Sequence, residues 1–141
     1  MNINAQAIIV DGDIGELIQS AEMIGGDLVS GGLTSTQIRN IFGEVRRIEL
    51  NWPAFRESMD DTERENAKNA HRSAVLLRPK LAYQAKRERG RGIEELQKAL
   101  DPCLKILQDC RDAKDQHIYF QRFVDFFEAI LAYHKAAGGR S

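Results

Sequence analysis

The densest cluster of charge in the chain lies in residues 79–92, which read PKLAYQAKRERGRG. A single acid, Glu88, is outnumbered there by five cations: Lys80, Lys86, Arg87, Arg89 and Arg91. Cations complement the negative C-terminal end of a helix dipole, but that role needs only one or two of them. Such groups also bind phosphate oxygens, and Gly90 and Gly92 would let phosphates approach the backbone. We therefore predict a phosphate-binding segment, with Tyr83 either stacked on a base or partly in the core.

A second group of cations lies on a predicted helix that follows Thr34. Its apolar residues recur with the helical period, and three arginines fall outside that face: Arg39, Arg46 and Arg47. Gly43 lies between the first two on the same side, although a glycine within a helix costs about 1 kcal/mol relative to alanine. Close approach of another backbone would explain this glycine, and that backbone belongs either to a neighbouring helix or to a nucleic acid.

The sequence carries no pattern typical of an enzyme or a metal site. His71, His117 and His134 are scattered, and there is no HExxH pattern, no paired His–Cys spacing and no glycine-rich phosphate loop. We therefore predict no catalytic residue, no metal ligand and no cofactor. Cys103 and Cys110 lie seven residues apart, too far for a disulfide within one continuous helix, so both are predicted to be reduced core residues.

The composition predicts a soluble protein whose charge is unevenly distributed. The 141 residues carry a net charge of −1, yet five acids and no lysine or arginine precede Arg39. The rest of the chain therefore has a cationic surplus, which is compatible with an anionic partner. No apolar run approaches the roughly 18 residues of a membrane span, and the start lacks a secretory signal. We expect a cytoplasmic location without membrane contact.

The chain divides into an acidic head and a helical body. Residues 1–32 are predicted to form a short helix that Gly25 and Gly26 end, followed by a flexible glycine-rich linker. The pattern leaves open whether this head docks on the body, frays or exchanges with a neighbouring molecule. Residues 33–141 are predicted to form a helical bundle, so the whole chain is an all-α, compact bundle of about five helices in a single domain.

Local signals place the ends of the body helices. Thr34 and Gln37 have the capping-box spacing, Pro79 should kink or break the next helix, and Pro102 should kink or split the one after it. The last helix carries two aromatic stripes, one at positions 120, 123 and 127 and the other at positions 119, 126 and 133. It is therefore either the central helix or a contact for a second subunit. Glu128 stands among these apolar residues and is expected to pair with an arginine such as Arg39 or Arg78.

Three segments of the chain resemble a known family. They read LTSTQIRNIFGEVRRIE, LLRPKLAYQAKR and FVDFFEAILAYHKAAGG, and in this order and spacing they resemble the small helical subunit of the type III-A CRISPR effector, the Csm complex. The resemblance covers roughly residues 33–139. It implies a non-catalytic structural subunit of a ribonucleoprotein, which lies in repeated copies along the guide RNA and its target RNA. Other effector subunits are then partners, and target cleavage belongs to them.

The cations and the resemblance together give the candidate RNA-binding residues. They are Arg39, Arg46, Arg47, Lys80, Lys86, Arg87, Arg89, Arg91 and Lys135. Such contacts would hold the RNA backbone without reading its sequence. Lys135 is equally suited to complement the dipole of the last helix. A helical adaptor or homodimer without an RNA role remains the alternative, because it explains the glycines and the two-sided last helix equally well.

Overall fold

The computed structural model describes residues 3–140, and within that range it holds a short π-helix, six α-helices and no strand. The π-helix spans Gln6–Val10, and the α-helices are α1 (Ile14–Ser30), α2 (Ser35–Leu50), α3 (Asp61–Val75), α4 (Leu77–Glu88), α5 (Arg91–Asp109) and α6 (Ala113–Ala136). The predicted all-α bundle in a single domain is confirmed. None of the helices in the described range is long and apolar enough to cross a membrane.

The centre of the bundle is α6. Its fully buried side chains are Phe120, Phe123, Phe126, Phe127 and Ile130, and α1, α2 and α5 pack around them. Both aromatic stripes of the helix are covered within the chain, because Phe126 is buried while Tyr119 and Tyr133 are half-buried against the core. Of the two alternatives, α6 is therefore the central helix, and its second stripe needs no second subunit.

The acidic head is part of this core. One face of α1 is buried through Leu17, Ala21, Ile24 and Leu28. The prediction that Gly25 and Gly26 end this helix is wrong, because α1 continues through both to its end at Ser30. Gly25 lies where α1 crosses α6, and a Cβ atom added there would come 2.7 Å from the Cβ atom of Tyr133. Burial of the helix face outweighs the low helix propensity of the two glycines.

Arg122 ties the start of the chain to α6. Its Nη1 atom donates to the carbonyl oxygens of Ile9 at 3.0 Å and Val10 at 2.8 Å, at the C-terminal end of the π-helix. Carbonyl groups at a helix end lack partners within the helix, so the guanidinium satisfies them. Asp13 then caps α1 by accepting a hydrogen bond from the backbone N–H of Glu16. Of the three possibilities left open for the head, docking on the body is the one observed.

The prolines explain only part of how the body helices divide. The predicted break near Pro79 occurs at Leu76, between α3 and α4, and Pro79 itself lies in the first turn of α4. A proline lacks the N–H that would bond the carbonyl four residues earlier, and this favours a break before it. The predicted possibility of a split at Pro102 is wrong, since α5 runs through that residue without interruption.

The expected partners of Glu128 are wrong. Its side chain is exposed on α6 and forms no ion pair within residues 3–140. Arg78 instead forms a bidentate ion pair with Asp101, through bonds of 2.9 Å from Nη2 and 2.8 Å from Nε. This pair raises the pKa of Arg78 and joins α4 to α5.

The two cysteines are free, as predicted. Cys103 is buried in the core, and burial raises the pKa of its thiol to about 12. Cys110 is only half-buried at the end of α5, and burial raises its pKa as well. Both thiols are therefore protonated at neutral pH, but only Cys103 is a full member of the core.

Gly25→Ala is expected to destabilise the bundle by about 1–3 kcal/mol, because the added Cβ would overlap the backbone of α6 and force the two helices apart. Gly26→Ala is the matched control. Nothing lies within 4 Å of its Cβ position, so the better helix propensity of alanine should stabilise the protein by up to about 1 kcal/mol. Urea unfolding measures the change in the free energy of unfolding for each variant. Equal changes at the two positions would contradict the close crossing of α1 and α6.

Candidate nucleic-acid interface

A polar groove of about 380 Å³ lies between α2, α3 and α4. Its polar lining residues are Glu44, Arg47, Asn51, Asn66, Asn69, Ser73 and Lys80. The groove brings together Arg47 and Lys80, one cation from each of the two predicted clusters. The side chains of α3 were not predicted to take part, although Asn66, Asn69 and Ser73 are spaced to share one helix face. Their amide and hydroxyl groups can donate and accept hydrogen bonds beside the cations.

The two cation-bearing helices run antiparallel along this polar groove. At one end, Gln37 of α2 donates from Nε2 to the Oε1 atom of Glu88, the last residue of α4, at 2.9 Å. Towards the other end, Arg47 of α2 shares the polar groove with Lys80 in the first turn of α4. These two points give the helices opposite directions, and because α2 and α4 each pack on α3, their cations lie on the two sides of the polar groove.

Gln37 makes two kinds of contact: it caps the start of α2, and it bonds to the last residue of α4. The backbone N–H of Gln37 donates to Oγ1 of Thr34 at 3.1 Å, and its Oε1 accepts from the backbone N–H of Thr34 at 2.9 Å. This is the predicted capping box, which satisfies donors that a helix start leaves without partners. The amide nitrogen of the same side chain remains free to hold Glu88.

The arginines of α2 are exposed, and two of them pair with glutamates of the same helix. Arg46 pairs with Glu49, and Arg47 pairs with Glu44, each across three residues of the same helix. The Arg47–Glu44 pair is well exposed on both sides, and such pairs contribute about 0–1 kcal/mol, so Arg47 can leave its carboxylate for another anion at little cost. Arg46 is exposed as well, but its partner Glu49 is only 18% exposed, so this pair is screened less by water. Arg39 is exposed and forms no ion pair within residues 3–140.

Gly43 faces open space beside these arginines. It is exposed, and nothing lies within 4 Å of the position its Cβ atom would take. The interpretation that it contacts another helix of this chain is therefore wrong. The glycine lies on a surface of α2, between Arg39 and Arg46 in sequence, that nothing in residues 3–140 covers.

The cations in and after α4 differ in how they are held. The Nη2 atom of Arg87 lies 3.6 Å from the Oε2 atom of its neighbour Glu88. Arg91 donates from Nη2 to the carbonyl oxygen of Ser30 at 3.1 Å. The remaining ones are exposed and form no ion pair in the part of the chain that the structure describes: Lys80, Lys86 and Arg89. Arg91 is thus partly committed to the fold, whereas these three are available to a partner.

Of the two glycines after α4, Gly92 is required by the fold. Gly92 is buried in the first turn of α5, where its N–H donates to the carbonyl oxygen of Gly31 at 3.1 Å. A Cβ atom added to Gly92 would come 2.8 Å from that of Leu33. The prediction that both glycines let phosphates approach the backbone is therefore wrong for Gly92. Arg89, with a φ of 53°, takes the left-handed conformation that ends α4.

Tyr83 on α4 and Lys135 on α6 are both exposed. The Tyr83 side chain is 66% exposed, so its placement in the core is wrong, and its ring lies 5.8 Å from the guanidinium carbon of Arg87. An exposed ring beside cations can stack on a base. Lys135 lies near the end of α6, beside His134, whose Nε2 atom is 2.6 Å from the carbonyl oxygen of Leu33. It does not line the polar groove.

No group of three or more His, Cys, Asp or Glu side chains among residues 3–140 is placed to hold a metal ion.

A family model described as Csm2 Type III-A matches residues 11–140. This match confirms the resemblance and extends it through α1, which the three sequence segments did not include. Comparisons with curated proteins and with solved structures found no match.

Gln37→Ala is expected to lower the free energy of unfolding by about 1–2 kcal/mol, because it removes half of the capping box and the bond to Glu88. Thr36→Ala is the matched control, since Thr36 is exposed on the same helical turn. Thermal unfolding followed by circular dichroism compares the two variants. If they melt together, Gln37 does not hold α2 beside α4.

Proposed function

Since this chain belongs to the Csm2 Type III-A family, we propose that it binds the backbone of the guide RNA–target RNA duplex through its polar groove and the cations of α2 and α4. Family membership makes the chain a structural subunit of the type III-A CRISPR effector, with other effector subunits as its partners. We further propose that the chain itself is non-catalytic, acts in the cytoplasm, and occurs in repeated copies along one RNA.

The observation that carries this proposal is the meeting of Arg47 and Lys80 in one groove. A cation from each side can neutralise phosphates of a strand that follows the space between α2 and α4. The amides of Asn66 and Asn69 can donate to phosphate or ribose oxygens without selecting a base. Such a surface would contact the charged sugar–phosphate backbone of the RNA and not its bases. This suits a subunit that must accept any guide sequence.

Repetition accounts for how a surface of this size would hold RNA. One copy that contacts a few phosphates binds weakly, and its affinity falls steeply with salt because bound counterions are released. Several copies on one RNA bind with a high effective concentration, so the assembly gains affinity without any new contact. Tyr83 can add sequence-tolerant stacking where a base is unpaired.

Arg47→Ala/Lys80→Ala is expected to weaken binding of single-stranded RNA and to reduce the salt slope of the affinity by about one for each lost phosphate contact. Circular dichroism should stay helical, because both side chains are exposed. Fluorescence anisotropy at several salt concentrations gives both quantities.

The matched control is Lys98→Ala/Lys114→Ala, which removes the same charge from exposed positions on α5 and α6 outside the polar groove. A change limited to net charge would weaken both double variants equally. In that case the polar groove is not the binding surface, and RNA would have to bind another face of the molecule.

Gly43→Ala tests whether a partner lies against the open face of α2. The substitution should raise the free energy of unfolding by up to about 1 kcal/mol, because the new Cβ atom meets no neighbour. We expect the same variant to bind RNA severalfold more weakly, since the methyl group would hold the RNA backbone away from the helix. A variant that is more stable and binds RNA unchanged would show that the RNA does not approach this face.

A further inference from the structure

The polar groove contains one acidic side chain beside its cations. Glu44 lines it together with Arg47 and Lys80, and the Glu44 side chain is 43% exposed. An ionised carboxylate only accepts hydrogen bonds, and it repels phosphate. A groove that served phosphates alone would therefore bind them better without Glu44. A ligand that uses the whole groove has to offer a hydrogen-bond donor as well as phosphate oxygens.

The ion pair in the groove leaves part of each partner free. The Nη2 atom of Arg47 donates to the Oε2 atom of Glu44, and Oε1 of Glu44 accepts no hydrogen bond within residues 3–140. A guanidinium group has five N–H donors, so Arg47 can bind a phosphate while it stays paired with Glu44. The pair thus presents free donors and a free accepting oxygen side by side.

The α3 side of the polar groove supplies groups that can donate to the same ligand. Asn66, Asn69 and Ser73 are exposed, and their side chains form no hydrogen bond to another residue of the described range. An amide or a hydroxyl on this side can donate to an oxygen atom that itself donates to Glu44. A ligand hydroxyl fits both sides, because it donates and accepts, whereas a phosphate oxygen only accepts.

An RNA strand carries a hydroxyl and a phosphate next to each other. The 2′-hydroxyl of a nucleotide lies beside its 3′-phosphate, and it is both a donor and an acceptor. This neighbourhood matches the one in the groove, where Glu44 accepts and Arg47 donates. A DNA strand has the same phosphate but lacks the hydroxyl, so it would leave Glu44 close to phosphate without a donor.

We propose that Glu44 makes the polar groove selective for ribose, because its carboxylate accepts a hydrogen bond from a 2′-hydroxyl while Arg47 binds the adjacent phosphate. This inference rests on the proposed function and adds the chemical feature of RNA that the groove recognises. Since the contact is to the sugar, it is compatible with any base sequence. A deoxyribose strand is disfavoured by repulsion that no hydrogen bond offsets.

The test compares three uridine oligonucleotides of one length that carry a hydroxyl, a fluorine or a hydrogen at the 2′ position. The 2′-fluoro strand keeps the sugar conformation of RNA but has no donor, so it separates the hydrogen bond from the shape of the strand. In fluorescence anisotropy, the unmodified protein should bind the hydroxyl strand about two- to tenfold more tightly than either other strand, as expected for one hydrogen bond.

Two variants of Glu44 and one control assign the preference to this side chain. Glu44→Ala should abolish it, mainly because the fluoro and deoxy strands bind more tightly once the repulsion is removed. Glu44→Gln keeps an accepting oxygen without the charge, so part of the preference should remain. Glu49→Ala removes the acid of the other ion pair of α2, which lies outside the polar groove. It should change all three affinities alike, and circular dichroism should stay helical for every variant.

The outcomes separate this inference from the proposed function. If the unmodified protein binds all three strands equally, the inference is wrong and the proposed function stands. If Glu44→Ala changes the three affinities by the same factor, Glu44 only holds Arg47 and does not contact the sugar. If no strand binds even at low salt, the proposed function fails and this inference fails with it.

Discussion

The bundle depends on close approach of helix backbones at glycines. At Gly25 the backbone of α1 comes so near α6 that a methyl group would meet Tyr133. At Gly92 the start of α5 lies against the segment before α2, and its N–H is bonded to Gly31. These two approaches hold α1 and α5 against their neighbours around the buried aromatic side chains of α6. Through the position of α5, the second also sets where the cations after α4 can lie.

Features that depend on neighbouring residues in sequence could be predicted. The apolar period of α2 and α6 is a local pattern, and so is the capping box of Thr34 and Gln37. The roles of the glycines could not be predicted in the same way, because a glycine signals a helix end, a close crossing or an open surface with the same letter. Gly25, Gly92 and Gly43 take three different roles, and only the tertiary neighbours decide which.

The candidate site also combines features that the local sequence predicts with features that only the fold creates. The cations stood out because their density along the chain is unusual, and their charge is visible without a fold. Asn66 and Asn69 did not stand out, since polar residues on an exposed helix are common. The hydrogen bond between Gln37 of α2 and Glu88 of α4 joins residues that are 51 positions apart, so no local pattern contains it. Sequence reasoning therefore found candidate residues, whereas the groove between them required the structure.

Three of the candidate arginines have carboxylate neighbours, and this bears directly on whether they can bind RNA. Arg46, Arg47 and Arg87 pair with glutamates on their own helices, and all three side chains are exposed. Water and salt screen the Arg47–Glu44 pair, so its net contribution is about 0–1 kcal/mol, while Glu49 and Glu88 are only 18% and 20% exposed and their pairs are screened less. The dense charge of an RNA backbone offers a stronger and multiply bonded alternative. Arg78 is the contrast, because its bidentate pair with Asp101 is partly buried and joins two helices. Arg78 therefore belongs to the fold, whereas the pairs of Arg46, Arg47 and Arg87 each stay within one helix and join no two helices.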